Sequence, residues 1–182
     1  MFATNALKLD VRLAEPDDLP ALRDLVEQSV RGLLREVYTP RQIESSLKYL
    51  FGVDPALIED GTYYIAEVDG NLAGAGGWSH RSAIYGRGDD EPPVYLDPAV
   101  DAARIRAFFV HPNYAGQGIA HELLYLSEAA AYRAGFRSAE LLATWKGAPI
   151  YQSCGYTTIK EVSVTLPDGV TLTGLYMTKG LD

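Results

Sequence analysis

The chain has one cysteine and no run of basic residues. Because Cys154 stands alone, neither an intramolecular disulfide nor a cysteine-rich zinc site can form, and a reducing compartment is the simplest setting. The chain contains 16 Lys and Arg and 24 Asp and Glu, which gives a formal charge of −8. Nucleic-acid phosphates attract clustered cations, so this balance argues against a nucleic-acid partner and slightly favours a cationic substrate. We also expect no metal.

Long apolar runs are absent as well. No stretch approaches the roughly 20 residues that cross a bilayer, and residues 1–18 lack the basic-then-apolar order of a secretion signal. We therefore expect a cytoplasmic protein with no membrane partner. At 182 residues and 47% hydrophobic composition, the chain is long enough for one core and short for two. The expectation is one domain over residues 1–182.

The spacing of apolar residues alternates between strand and helix patterns, which indicates an α/β (α+β) fold. Strands are predicted at 8–13, 63–68, 72–78, 104–110, 139–143, 157–166 and 170–177. Helices are predicted at 18–33, 40–50, 119–134 and 149–154, the first capped by Asp17. The turns at 69–71 and 167–169 favour hairpins, whereas strand 104–110, helix 119–134 and strand 139–143 imply a right-handed parallel pair.

Strict alternation in strand 104–110 predicts which side chains share a face. One face would carry Ile105, Ala107 and Phe109, and the other Arg104, Arg106, Phe108 and Val110. The arginines would then point into a site or into water. They could hold an acidic group of a substrate, or pair with Asp and Glu in the loop before the strand, and a structural ion pair is expected for at least one of them.

Residues 108–124, FFVHPNYAGQGIAHELL, join an apolar strand to an amphipathic helix through a turn that contains Gly116 and Gly118. Glycines let a backbone approach a ligand closely, and the free N–H groups of a new helix favour an anion. The spacing is neither GxGxxG nor GxxxxGK[ST]. The turn therefore favours a nucleotide-derived cofactor, with an ordinary strand-to-helix turn as the alternative.

Three segments together resemble the GNAT superfamily of N-acetyltransferases, in the order in which that family carries them. They are residues 12–22 (RLAEPDDLPAL), 110–124 (VHPNYAGQGIAHELL) and 148–156 (APIYQSCGY). The resemblance implies a GNAT-like fold: a central mixed, largely antiparallel sheet with a splayed parallel pair and helices on both faces.

The resemblance also implies acetyl-CoA as co-substrate. Its diphosphate would lie on the backbone N–H groups of six consecutive residues: Ala115, Gly116, Gln117, Gly118, Ile119 and Ala120. Its pantetheine arm would run along Phe108, Phe109 and Val110, where the parallel pair splays apart. Ala115 departs from the family loop, which usually begins with Arg or Gln, so one side-chain contact to phosphate is missing and altered affinity is expected.

By the same resemblance, Tyr151 would protonate the departing thiolate, a donation that a phenol can make. A structural tyrosine at the edge of the core is the alternative. Arg104 stands where some relatives carry a glutamate and cannot accept a proton. Glu67 and His80 are tentative bases and His111 is a further candidate, each with a solvated or structural role as its alternative.

The acceptor would be a small-molecule or peptide amine, which the acidic residues Asp89, Asp90 and Glu91 in the loop 79–101 would suit. A homodimer is possible, as is common in the family. The competing reading is a GNAT-like module that binds acyl-CoA without turnover, motivated by Ala115 and by the missing strand carboxylate.

Overall fold

The computed structural model describes residues 8–85 and 92–182. Its strands are β1 (Leu9–Leu13), β2 (Tyr63–Val68), β3 (Asn71–Ser79), β4 (Ala103–Val110), β5 (Ser138–Ala143), β6 (Thr157–Thr165) and β7 (Thr171–Gly180). Its helices are α1 (Leu19–Leu33), α2 (Pro40–Tyr49), α3 (Pro55–Glu59), α4 (Ile119–Arg133) and α5 (Ala148–Ser153). None of the helices in these two ranges is long and apolar enough to cross a membrane.

The strands form a single sheet in the order β1-β2-β3-β4-β5-β7-β6. Only the β4–β5 pair is parallel, because α4 connects these two strands as a crossover, whereas the two predicted hairpins are antiparallel. The expected mixed, largely antiparallel sheet is thus confirmed.

Helices cover both faces of this sheet. On one face α1 and α2 pack against Tyr63, Ile65 and Phe109. On the other, α4 lays Ile119 and Leu123 over the first half of the sheet, and Leu124 over the second half. Because β4 and β5 are parallel, the loops that follow them lie at the same end of the sheet. The candidate site lies at this end.

The predicted alternation in β4 is wrong beyond Arg106, because the strand contains a β-bulge. Its register against β3 shifts between Ala75 and Gly77, and Ala107 takes a positive φ of 57°. One inserted residue moves every later side chain to the opposite face. Phe109 therefore packs on the α1 and α2 side, whereas Phe108 packs on the α4 side together with Ile105.

The start of α1 also differs from the prediction. Residues 16–18 form a 3-10 turn before the helix, and Asp17 makes no cap. The carboxylate of Asp18 instead accepts the Glu15 amide at 2.7 Å and pairs with Arg12 at 2.8 Å. The helix begins with Leu19, so Asp18 stabilises the turn before α1 and does not cap the helix.

Candidate active site

The parallel strands β4 and β5 are paired over only two positions. Ala103 lies opposite Ala139 and Arg104 opposite Glu140, and beyond them the strands separate. An ion pair between Arg104 and Glu140 stands at the last paired position, and Tyr176 of β7 donates a hydrogen bond to the same carboxylate. This cluster marks the point where an opening in the sheet begins.

The turn before α4 exposes main-chain donors. Gly116 and Gly118 have φ values of 76° and 82°, and a Cβ on either would meet nothing within 4 Å. Within the described ranges, the amides of Gly116 and Gln117 donate to no other backbone group. No side chain caps α4, so its first N–H groups also point outward. The turn presents a concave set of donors suited to an anion.

A cavity of about 850 Å³, here called the larger cavity, extends from this turn along the end of β4 to α5. Its lining includes all the residues predicted to bind the cofactor except Gln117: Phe108, Phe109, Val110, Ala115, Gly116, Gly118, Ile119 and Ala120. The side-chain nitrogen of Gln117 lies 3.5 Å from the Asn113 carbonyl. The structure therefore brings the two predicted halves of the cofactor site into one space.

A second cavity of about 170 Å³, the smaller cavity, lies among β4, β5 and β7 beyond the splay. It shares part of its wall with the larger cavity. The shared residues are Phe51, Phe108, Phe109, Thr144, Gly147 and Tyr151. Two compounds that occupy the two cavities would therefore meet at this wall.

Tyr151 stands on α5 at the wall between the two cavities. Its ring contacts Phe108 edge-on at 6.2 Å between centroids, and Tyr156 at 5.9 Å. Burial is the main reason that the pKa of Tyr151 lies well above its ordinary value, with a smaller contribution from Cys154. The phenol stays protonated at physiological pH and can donate a proton.

Residues 59–158 match the acetyltransferase (GNAT) domain family. The chain belongs to the GNAT acetyltransferases. The search of curated proteins found no match.

Solved GNAT structures share the architecture at low sequence identity. A GCN5-related N-acetyltransferase from Rhodopseudomonas palustris is 20% identical, with a TM-score of 0.72 over 100% of this chain and 99% of that one. The PaiA N-acetyltransferase from Thermoplasma acidophilum, solved with coenzyme A, is 14% identical, with a TM-score of 0.65 over 96% and 99%. YncA from Salmonella typhimurium, solved with acetyl-CoA, is 19% identical, with a TM-score of 0.62 over 96% and 95%. The GNAT fold is thereby confirmed.

The tentative bases of this GNAT domain lie away from both cavities. Glu67, on β2, is 3.8 Å from Arg12. His80, at the end of β3, stacks on Tyr95 at 5.2 Å. Neither residue lines the larger or the smaller cavity. Their role as bases stays a prediction. A proton that leaves an amine bound between β4 and β5 could not pass directly to either side chain.

His111 has a structural setting in the turn. Its Nδ1 accepts the Asn113 amide at 3.1 Å, and its Nε2 contacts the side-chain oxygen of Gln28. Both nitrogens are thus used in holding the turn to α1. The acidic residues Asp89, Asp90 and Glu91 lie outside the described residues.

The described ion pairs of the β4 arginines are structural, as expected, but their carboxylates, Glu140 and Asp54, lie outside the loop in which the sequence analysis placed them. Arg106 reaches Asp54 at 2.8 Å, and both side chains are no more than 3% exposed. Asp54 also accepts the Ala56 amide and so caps α3. The sequence analysis missed Asp54, although an Asp followed by a Pro is a recognisable helix start.

Proposed function

We propose that the chain transfers an acetyl group from acetyl-CoA to a primary amine, which attacks the thioester directly while Tyr151 acts as general acid. The observation that carries the proposal is the position of Tyr151. It lines a cavity that opens onto the glycine turn, and it also lines the smaller cavity. A donor and an acceptor of the acetyl group can both reach this phenol.

The turn fits the diphosphate of coenzyme A. The open amides of Gly116 and Gln117 supply donors, and the N-terminus of α4 adds favourable potential for an anion. No described atom lies within 4 Å of the positions that a Cβ at Gly116 or Gly118 would take, so the space beside these two glycines is open. Shape and main-chain donors would compensate for the side-chain contact that Ala115 does not make.

The pantetheine arm would lie against the open edge of β4. Beyond Arg104 the edge of β4 that faces β5 has no partner strand. Its backbone groups can therefore form hydrogen bonds with the amides of an extended ligand. The bulge at Ala107 changes the direction of the backbone at this edge. In our proposal a main-chain N–H between Phe108 and Val110 donates to the thioester carbonyl and stabilises the negative charge that develops there.

In the chemical step the nitrogen lone pair of the amine forms the new bond to the carbonyl carbon, and the carbon–sulfur bond breaks. The sulfur leaves with the bonding electrons and takes the proton from Tyr151 Oη. The attacking nitrogen loses one proton to water as the amide forms, and the Tyr151 phenolate takes a proton back from water. The raised pKa of Tyr151, caused mainly by burial, keeps that proton available across the physiological range. The amine must arrive neutral, and Glu67 or His80 would act on it only through water.

The test is Tyr151→Phe, assayed with acetyl-CoA and a panel of primary amines by release of free thiol. We expect kcat to fall by about 10²–10⁴-fold, the range for loss of a general acid, while calorimetry shows unchanged affinity for acetyl-CoA. Tyr125→Phe is the matched control, because Tyr125 lies 66% exposed on α4. Full activity of Tyr151→Phe would refute the assignment. Binding of acetyl-CoA without turnover of any amine by the unaltered protein would support the non-catalytic alternative instead.

A further inference from the structure

We infer that the smaller cavity selects small apolar primary amines, whose carbon skeleton is no larger than one aromatic ring, over polyamines, acidic amino acids and peptides. This inference rests on the proposed function and specifies its acceptor. It follows from the size, the lining and the charge of the cavity.

The size of the cavity sets the first limit. Its volume is about 170 Å³, and an apolar protein cavity of about 150 Å³ accommodates a molecule of benzene. A skeleton of one ring, or a branched chain of similar volume, would fill the space. A second ring, or the extended chain of a peptide substrate, would extend beyond this space and make no further contact with its walls.

The lining sets the second limit. Apolar side chains come from three directions: Leu141 and Leu142 from β5, Val164 from β6, and Leu172 from β7. Aromatic rings complete the wall, namely those of Tyr38, Phe51, Tyr85, Phe108, Phe109 and Tyr151. Burying a flat apolar group among them releases water from both surfaces. A polar skeleton would lose its hydration there and would find only a few hydroxyl groups, such as those of Tyr38 and Thr173, as replacement partners.

Charge sets the third limit. Among the described residues that line the smaller cavity, Arg106 alone is formally charged, and its charge is matched by the buried carboxylate of Asp54 at 2.8 Å. The described wall therefore offers no carboxylate of its own to a second ammonium group. An apolar setting also disfavours the charged form of the amine itself. It would help to deliver the neutral nucleophile that the reaction needs.

Two hydroxyl groups of the wall stand where the amine nitrogen would have to be. Thr144, at the end of β5, and Tyr151 belong to the wall shared with the larger cavity. A single amino group on an apolar skeleton could place its nitrogen against these hydroxyls and its carbon atoms against the leucines. This arrangement matches a molecule with one polar end.

The test compares primary amines of matched reactivity in two assays on the same protein. Benzylamine and isoamylamine represent the expected class, and spermidine, glutamate and a lysine-containing peptide represent the others. We expect kcat/KM for the apolar pair to exceed the rest by at least about tenfold, the effect of one or two buried methylene groups. Calorimetry with protein saturated with coenzyme A should rank the same amines in the same order.

A charge placed in the wall provides an independent check. Val164→Glu adds a carboxylate at a half-buried position that lines the smaller cavity, and Val162→Glu adds one at the half-buried position two residues earlier on β6, which does not line it. We expect V164E to lose at least about tenfold in kcat/KM for benzylamine and to gain relative activity with spermidine. V162E should keep the original ranking, and thermal unfolding of both variants measures their folding directly.

The outcomes separate the inference from the proposed function. Turnover of spermidine, glutamate or the peptide at a rate equal to or above that of benzylamine would overturn the inference and leave acetyl transfer established. Absence of turnover with preferential binding of benzylamine would support the inference and refute the catalytic proposal. Absence of binding by both apolar amines, or an unchanged ranking in V164E, would overturn the inference.

Discussion

The phenol of Tyr63 donates a 2.8 Å hydrogen bond to the carbonyl of Ala107, across 44 residues of sequence. Tyr63 is 1% exposed, and Ala107 is the bulged residue of β4 with a φ of 57°. The bond therefore ties a buried side chain of β2 to the one place where β4 departs from regular geometry. We expect it to fix the direction of the backbone on which the thioester carbonyl would lie.

Removing this hydroxyl should destabilise the fold. In Tyr63→Phe the Ala107 carbonyl loses its partner in a buried setting, which costs about 1–3 kcal/mol. The free energy of unfolding in urea measures the loss. Tyr38→Phe is the control, because the Tyr38 hydroxyl is 3.5 Å from the Thr173 carbonyl and its bond is at the limit of the range. Equal losses in the two variants would contradict a special role for the Tyr63 bond.

The positive φ at Ala107 leads to a second prediction. A left-handed conformation costs a non-glycine residue about 1–2 kcal/mol, whereas glycine avoids this strain and loses about 0.5–1 kcal/mol in chain entropy. Ala107→Gly should leave stability unchanged or raise it by up to about 1.5 kcal/mol. Ala107→Val should lower it by about 1–3 kcal/mol, because a β-branched residue is poorly accommodated there. The denaturant midpoints of the two variants measure these changes. A glycine variant less stable than the unaltered protein would contradict the prediction that Ala107 is strained.

The bulge at Ala107 is a feature of the fold that could not be predicted from the sequence. The order of strands and helices follows from local apolar spacing, and it was predicted closely, as was the splay of the parallel pair through the family resemblance. The face of Phe109 was wrong, because no local signal marks an alanine as the extra residue of a bulge. The partner of Arg106, Asp54, is 52 residues away, and only the folded chain brings the two together. The five-residue helix α3 was too short for its periodicity to be detected.

Buried tyrosines predict how stability depends on pH. Burial raises the pKa of Tyr63, Tyr151 and Tyr156 above the ordinary value of about 10. Above about pH 10 the unfolded chain therefore loses these protons while the folded chain keeps them, so stability is unaffected below that pH and falls as the pH rises further. Urea unfolding at rising pH should show this fall, and Tyr151→Phe should make it shallower. Spectroscopic titration of all tyrosines with ordinary pKa values in the folded protein would contradict the prediction.

The ion pair between Arg106 and Asp54 should matter for folding more than the exposed pairs do. Asp54→Asn can keep the helix cap at the Ala56 amide, yet it removes the negative charge that faces a buried arginine. Breaking a buried pair in this way costs about 3–5 kcal/mol. Glu44→Gln breaks the exposed pair with Arg31 and should change the denaturant midpoint little. Comparable effects in both variants would contradict a dominant role for burial.

The glycine turn allows the sharpest separation of binding from folding, because the chain contains a matched glycine elsewhere. Gly116, Gly118 and Gly169 have φ values of 76°, 82° and 83°, and a Cβ on any of them would meet nothing within 4 Å. Substitution by alanine should therefore cost each of them about the same, namely about 1–2 kcal/mol of backbone strain offset by about 0.5–1 kcal/mol of chain entropy. Gly169 lies in the turn between β6 and β7 and lines neither cavity.

Acetyl-CoA affinity should distinguish these three variants where stability does not. In Gly116→Ala and Gly118→Ala the strained backbone would turn the amides away from the diphosphate, and each good charge-assisted hydrogen bond that is lost costs about 1.5–3 kcal/mol. We expect calorimetry to show a loss of at least about tenfold in both, and no change in Gly169→Ala. If all three bind acetyl-CoA like the unaltered protein, the main-chain donors of this turn do not hold the diphosphate, and the cofactor must be bound elsewhere.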